Sequence, residues 1–225
     1  MSAQIHSSRK LRLRASLFLV FLSFSAKAQS RAQADLLQGP FYWQEKKAVY
    51  QSMLVERKIP VSVTHAQKDG HERWNFKAAG IVRAPVAFVF AETQKYEKLK
   101  TLSDHFQNVN WDPKTQILSL DIHFLARRRS MRIHIVPGEE ENLLFRVEEG
   151  WFQGLEGVLM IRTPVGDPAS ALNLSEVAVV AEGAVILKWI PNFVFSLSAE
   201  AIMHHVAESL RTMTETDYKL IQKGE

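Results

Sequence analysis

Apolar and polar residues alternate over most of the chain from Val61 to Leu187, and the period lengthens to that of a helix only near the end. Val61, Val63 and His65 alternate with Ser62, Thr64 and Ala66. Asp69-Gly70 then supplies a positive-φ turn, and Trp74, Phe76, Ala78 and Val82 resume the pattern, which predicts a β-hairpin. Ala84-Pro85 ends its second strand. Proline loses nothing at the first position of a helix, and Val86 to Leu102 reads as one or two short helices with Phe88, Val89, Tyr96 and Leu99 as their apolar positions. Upstream, Gln29 to Arg57 is mixed. Gly39-Pro40 marks a break, Phe41, Tyr42 and Trp43 form an aromatic cluster that reads as packing on its own domain, and Glu45 to Glu56 fits a short helix.

From Phe106 onward the pattern is strand again. Phe106 to Trp111 is closed by Asp112-Pro113, and Ile117 to Leu125 alternates strictly, with Leu118, Leu120, Ile122 and Phe124 on a dry face and Ser119, Asp121 and His123 on a wet one. If Arg127 and Arg128 are the two loop residues of the next hairpin, Ile122 stands opposite Ile133 and Asp121 opposite His134. Leu143, Phe145, Val147, Glu149 and Trp151 share one face of the following strand, and Leu155, Gly157, Leu159 and Ile161 one face of its partner. Gly150 to Val165 and Leu172 to Leu187 read as paired strands joined across Gly166-Asp167-Pro168, with Leu172, Leu174, Glu176, Ala178 and Val180 facing inward. Consecutive hairpins with no helix between them require an antiparallel sheet.

After Pro191, the residues Phe195, Ala199, Ile202, Val206, Leu210, Met213 and Leu220 recur at spacings of three, four or seven, one stripe along a helix from Asn192 to Ile221. Such a stripe has to be buried, and the dry concave face of a curved sheet is the large apolar partner on offer. The predicted class is therefore α+β: a curved antiparallel sheet wrapped around a long C-terminal helix, with one or two short helices after an early strand.

Composition changes this picture at one end only. Arg9, Lys10, Arg12 and Arg14 precede an apolar run from Ala15 to Phe24, and Ala26-Lys27-Ala28 supplies the small residues a signal peptidase reads, so residues 1–28 are expected to be a signal peptide cleaved after Ala28. The run is shorter than the roughly 20 residues a membrane-spanning helix needs. The expected domain plan is signal peptide 1–28, N-terminal extension 29–57 and folded domain 58–222, with export to the periplasm in a bacterium. In a eukaryotic secretory route, Asn173-Leu174-Ser175 is a glycosylation sequon.

Five of the 28 Lys and Arg and none of the 24 Asp and Glu fall in the leader, which leaves the mature chain close to minus one. That balance offers no basic face for nucleic acid. The absence of Cys removes disulfides, thiolate metal sites, a Cys nucleophile and a lipoprotein anchor. There is no Gly-x-Ser-x-Gly elbow, no His-Glu-x-x-His, no phosphate-cradling glycine loop and no dinucleotide fingerprint.

Three local patterns carry a family resemblance. Gly80-Ile81-Val82-Arg83-Ala84-Pro85 followed by Val86 to Phe90 is one, Gly150-Trp151-Phe152-Gln153-Gly154-Leu155-Glu156-Gly157 the second, and Ile190-Pro191-Asn192-Phe193 the third. In this order the chain resembles the START-like (SRPBCC) superfamily, the polyketide cyclase/dehydrase and lipid transport group, and the second pattern is similar to its coenzyme Q-binding-like branch. The resemblance covers roughly residues 72 to 220. The branch often has Trp two residues after the last glycine of that pattern, where this chain has Leu159, and Gln29 to Gly70 has no counterpart. It implies a helix-grip fold with an internal cavity. The residues expected to line that cavity are Trp74, Phe76, Phe124, Phe145, Glu149, Trp151, Leu159, Glu176, Phe195, Ala199, Ile202 and Val206, with small Ala78, Gly80, Gly157 and Ala178 among the inward positions.

Two charges interrupt the dry faces. An inward carboxylate in an apolar cavity is costly unless paired, so Glu149 and Glu176 are either turned out or paired with Arg, or they are the polar anchor or general acid/base of the cavity. His123, His134 and Asp121 meet across the predicted hairpin in a zinc-like set, but on its wet face, where an exposed Asp-His pair is the simpler reading. His204 points outward from the last helix and His205 borders its stripe. Arg127-Arg128-Arg129 reads first as a solvated turn and second as a contact for acidic headgroups.

The leading expectation is an exported monomer that holds a lipid or other hydrophobic small molecule, makes transient membrane contact and needs no cofactor or metal. The alternatives are a cyclase or hydratase-type enzyme using Glu149 or Glu176, and a ligand-free envelope interaction domain whose cavity is filled by its own side chains.

Overall fold

The computed structural model describes residues 42–68, 71–124, 126–164, 173–185 and 190–224. The expected leader and its cleavage site, the turns expected at Asp69-Gly70 and Gly166-Asp167-Pro168, Phe41, Leu172 and Leu187 lie outside the described residues. Among the described residues two short helices come first, α1 (Tyr42–Glu45) and α2 (Lys47–Val55), followed by β1 (Val61–Lys68) and β2 (His71–Val82). Pro85 stands at the N-cap of α3 (Val86–Thr93); a 3-10 turn (Tyr96–Lys98) and α4 (Leu99–Leu102) follow. Six strands then run in succession: β3 (Phe106–Asp112), β4 (Ile117–Phe124), β5 (Arg127–Pro137), β6 (Asn142–Glu149), β7 (Glu156–Arg162) and β8 (Ser175–Gly183). The chain ends on α5 (Asn192–Lys223).

All strand pairs are antiparallel, in the order β1-β2-β8-β7-β6-β5-β4-β3. The helical stretch after β2 carries the chain to the opposite edge, and the meander from β3 to β8 returns it to pair with β2. At 32 residues α5 is about 48 Å long at 1.5 Å per residue, long enough to cross the whole sheet. It starts after Pro191 and stops at Gly224, whose φ of 76° is the left-handed cap that residues with a Cβ resist.

Three registers differ from the sequence reading. The β4–β5 turn comes directly after Phe124, with Ala126 at φ 60°, so Asp121 is opposite Ser130, Ile122 opposite Arg129, and His134 opposite Ile117. The slip is an even number of positions, which is why the dry faces still match although the partners change. Between β5 and β6 a bulge separates the pairs Arg132–Glu149 and Ile133–Val147. The extra residue reverses the facing of the residues beyond it, so Glu149 leaves the side of Val147 and turns outward to Arg132 at 2.8 Å. Gly150 to Gly154 is a turn with φ of 115° and 86° at its two glycines, and β7 starts only at Glu156.

The third difference concerns β8. Its inward residues are Val177, Val179 and Ala181, opposite Gly80, Ala78 and Phe76 of β2. Glu176, Ala178 and Val180 face the other way and are buried there with Ala79, Ile81, Val158 and Met160. This outer face is covered at its β2–β8 end, where α2 packs on β2 and side chains from α1 and α2 reach Glu176. Residues 42–57 of the expected extension therefore belong to the same compact unit as the sheet.

On α5 the stripe is fully buried only near its start. Phe195 and Ala199 are buried, but farther along the buried positions are Arg211, Thr214 and Glu215, and Leu220 is exposed. Glu215 bridges Arg57 and accepts the backbone N–H of Arg83 at 2.8 Å, and Arg211 donates to the Arg57 carbonyl, which locks the end of α5 to the segments flanking β1 and β2. Among the described residues no helix is long and apolar enough to cross a membrane.

Candidate functional site

Between the inner face of the sheet and α5 lies a void in two lobes. The inner lobe, about 270 Å³, is walled by Ile59, Ala78, Gly80, Val82 and Val89, by Leu159, Val177 and Val179, and by Ile202, Met203, Val206, Ala207, Leu210, Arg211 and Thr214 of α5. The outer lobe, about 290 Å³, is walled by Phe76, Ile122, Phe124, Met131, Ile133, Phe145, Val147, Phe152, Leu155, Ala181 and Ala199, with His105 and His123 at its edge. Phe106, Val179, Ile202 and Met203 belong to both walls, so the lobes adjoin.

Small residues make the room. Ala78, Gly80, Val177 and Val179 face α5 without filling the gap, and α5 answers with Ala199 and Ala207. Gly157 does the opposite: a Cβ there would stand 2.4 Å from the Phe145 ring and 2.7 Å from the Val180 carbonyl, so the glycine lets Phe145 lie flat against β7. One end of the void is closed by aromatics. Trp74 meets Phe195 edge-on at 4.4 Å, and Phe195 touches Phe124 at 5.7 Å, with Trp151 behind Phe124 at 6.4 Å. Near the β3 edge, the Tyr96 ring meets Trp111 at a tilt, 4.4 Å between centroids, and packs with Leu118, Leu120, Ile135 and Leu143.

Of the residues expected to line a cavity, Phe76, Phe124, Phe145, Leu159, Ala199, Ile202 and Val206 stand on its walls. Trp74, Trp151 and Phe195 form the closing cluster beside it. Neither glutamate is in it. Glu149 is exposed and paired with Arg132, the consequence of the β5–β6 bulge. Glu176 is fully buried on the opposite face of the sheet, held by Trp43 Nε1 at 2.9 Å, Arg162 Nη2 at 2.8 Å and the Tyr50 hydroxyl at 3.3 Å. Among the described residues no carboxylate lines either lobe.

The polar groups that do reach the void are not marked as cavity residues by the sequence. His105 Nδ1 donates to the His123 carbonyl at 2.9 Å, since a carbonyl can only accept. His123 Nε2 and Thr214 Oγ1 are buried without a hydrogen-bond partner. Val177, Val179 and Ala181 escape a reading by alternation because both parities of β8 are apolar. A strand buried on two faces carries no alternation to read. Met203, Ala207 and Thr214 sit at helical spacing beside the predicted stripe, so a wider stripe finds them.

Asp121, His123 and His134 do not converge. Asp121 instead accepts from Ser130 at 2.6 Å, from Arg128 and from Asn108 at 2.7 Å, and these hydrogen bonds hold its carboxyl at about 2. Among the described residues no group of three or more His, Asp or Glu side chains could hold a metal ion. His204 and His205 are both exposed.

No protein-family model and no curated protein matches the sequence. Solved structures do. A START superfamily protein from Mycobacterium smegmatis superposes with a TM-score of 0.52 at 14% identity, over 63% of this chain and 97% of that one. A conserved protein from Geobacillus kaustophilus gives 0.51 at 12%, over 64% and 97%. The Zhui aromatase/cyclase from Streptomyces gives 0.51 at 10%, over 66% and 94%. At these identities the likeness is one of architecture, and it covers nearly the whole of each relative. The curved sheet, the short helices at its turn and the terminal helix are together the START-like helix-grip fold.

Proposed function

We propose that the protein is an exported carrier that holds a lipid or other hydrophobic small molecule between the sheet and α5. The observation that carries this reading is the void itself. Both lobes are apolar surface that folding leaves uncovered, and at roughly 25 cal/mol per Å² this forgoes stabilisation that a domain stable by only about 5–15 kcal/mol has little room to lose. A ligand-free interaction domain has every reason to fill such a space with its own side chains. Each lobe is larger than the ~150 Å³ engineered apolar cavity that binds benzene, and together they fall in the ~300–1,000 Å³ range of small-molecule sites.

Binding comes from apolar burial at roughly 25 cal/mol per Å², less the costs of ordering. The carboxylates on which a cyclase or hydratase reading rested stand outside the cavity, so the carrier reading is the stronger. Arg127 and Arg129 lie on the same face of the β4–β5 hairpin as Phe124 and Ile122, and all three arginines of the tip are exposed. The reading includes a transient contact there with an anionic membrane surface during loading.

Native mass spectrometry of the protein purified from its own host is the test. The expected spectrum shows a monomer beginning at Gln29 with a small molecule bound. In parallel, Ala199→Phe should abolish binding of an uncharged apolar dye such as Nile red while the variant stays folded. A protein that never carries a small molecule and binds no dye, or an Ala199→Phe variant that binds dye as well as the wild type, removes the carrier.

A further inference from the structure

The inner lobe is apolar except where the second half of α5 crosses it, and there it presents Arg211 and Thr214. These two residues are three apart and so lie on one face of the helix. Thr214 is 1% exposed, and its Oγ1 has no hydrogen-bond partner. A buried hydroxyl with no partner among the protein's own groups is unfavourable unless a group in the lobe completes the bond. Threonine also has a near-isosteric apolar replacement in valine, so packing alone gives no reason for the oxygen.

The charges around it are already matched. Arg211 pairs with Glu208 and donates to the Arg57 carbonyl, while Arg57 pairs with Glu215. Two cations and two carboxylates leave no spare positive charge to hold an anion in a dry site. A neutral oxygen needs none. The guanidinium has five N–H donors, and the hydroxyl can both donate and accept.

Resting on the carrier reading, we infer that Thr214, with Arg211 beside it, is the polar end of the binding site and takes a neutral oxygen, carbonyl or hydroxyl, carried at the tip of an apolar ligand. The ligand class is therefore a long or polycyclic ketone, ester or alcohol, seated with its oxygen toward the C-terminal half of α5 and its hydrocarbon body toward the outer lobe. Free fatty acids are poor occupants, because their carboxylate meets no uncompensated cation.

Displacement of Nile red from the full-length mature protein by four compounds of one chain length, an alkane, its methyl ketone, its primary alcohol and its carboxylate, tests this. The ketone and alcohol should compete about tenfold better than the alkane, the worth of one hydrogen bond in a dry site, and the carboxylate no better than the alkane. Thr214→Val should erase the tenfold advantage, leave the alkane unchanged and raise the Tm of the unliganded protein, because it removes an unsatisfied buried oxygen. Thr214→Ser should restore the preference. A preference for ketone or alcohol that survives in Thr214→Val, a carboxylate that competes best, or a Thr214→Val variant less stable than the wild type overturns the inference while leaving the cavity intact. If the dye binds and none of the four displaces it, the inference falls. If the dye itself does not bind, the carrier reading falls first.

Discussion

Asp121 is a carboxylate of the sheet whose pKa is strongly lowered, and its partners are not the histidine that the sequence register set opposite it. It faces Ser130 across the β4–β5 ladder, with Arg128 and Asn108 closing the other sides, so hydrogen bonds from three residues stabilise its ionised form and lower its pKa from the ordinary 3.8 to about 2. A carboxyl with a depressed folded-state pKa adds stability that is fully present above the unfolded value and disappears as pH falls through the folded one. For Asp121 that window runs from about pH 4 down to about pH 2. Because Arg128 is half exposed, the contribution is on the order of 1 kcal/mol after screening is allowed for. Urea midpoints taken across that range should fall more steeply in the wild type than in Asp121→Asn. Parallel curves would show that the Asp121 bonds contribute nothing to folding.

At the scale of elements, the sequence was most informative where one face of a strand is dry and the other wet. The first hairpin, the alternation of β4 and the start and length of α5 could all be read before the structure, since each is a local period. What could not be read came from long-range facts. The extra residue opposite Arg132 is a bulge that no alternation announces, and it moved Glu149 out of the cavity. The double burial of β8 depends on helices more than a hundred residues upstream, and it put Glu176 on the wrong side.

The second half of α5 shows the same limit, because its contacts there are ionic. Lys98, in the 3-10 turn, donates to Glu92 of α3 at 2.7 Å and to Asp217 of α5 at 2.6 Å. Burial pushes the Glu92 carboxyl up, but hydrogen bonds from Lys95 and Lys98 outweigh it and leave the group below its ordinary value. Lys98→Met leaves that buried carboxylate with the half-exposed Lys95 alone, and should cost about 2 kcal/mol in urea unfolding. Adding Glu92→Gln should recover part of the loss, because the stranded charge goes with it. Simple additivity of the two substitutions would mean that Lys98 acts through packing and not through charge.

Among the described residues α1 and α2 cover part of the sheet face that turns away from α5, and this bears on how the cavity stays open. A sheet that bends around an unfilled space receives little support from that side, so its curvature has to be held from the other. On the outer face the apolar residues of β2, β7 and β8 are buried, and Glu176 among them is bound by Trp43 and Tyr50 from the first two helices and by Arg162 from β7. Removing the chain before Ile59 would uncover that face and leave Glu176 with Arg162 as its ionic partner. It would also take away Arg57, which ties Glu215 of α5 to the start of β1. Taking the ionic partner from the buried Glu215 costs about 3–5 kcal/mol before the lost apolar burial is added, enough to consume most of the stability of an ordinary domain. The shortened chain should therefore keep far-ultraviolet circular dichroism but lose near-ultraviolet signal, cooperative unfolding and Nile red binding in the cavity. Glu176→Gln in the full-length protein is the milder companion, expected to weaken stability while dye affinity stays within about twofold, since the group faces away from the ligand. If the shortened chain unfolds at the same urea midpoint as the whole, the outer layer is dispensable and the curvature of the sheet is set by α5 alone.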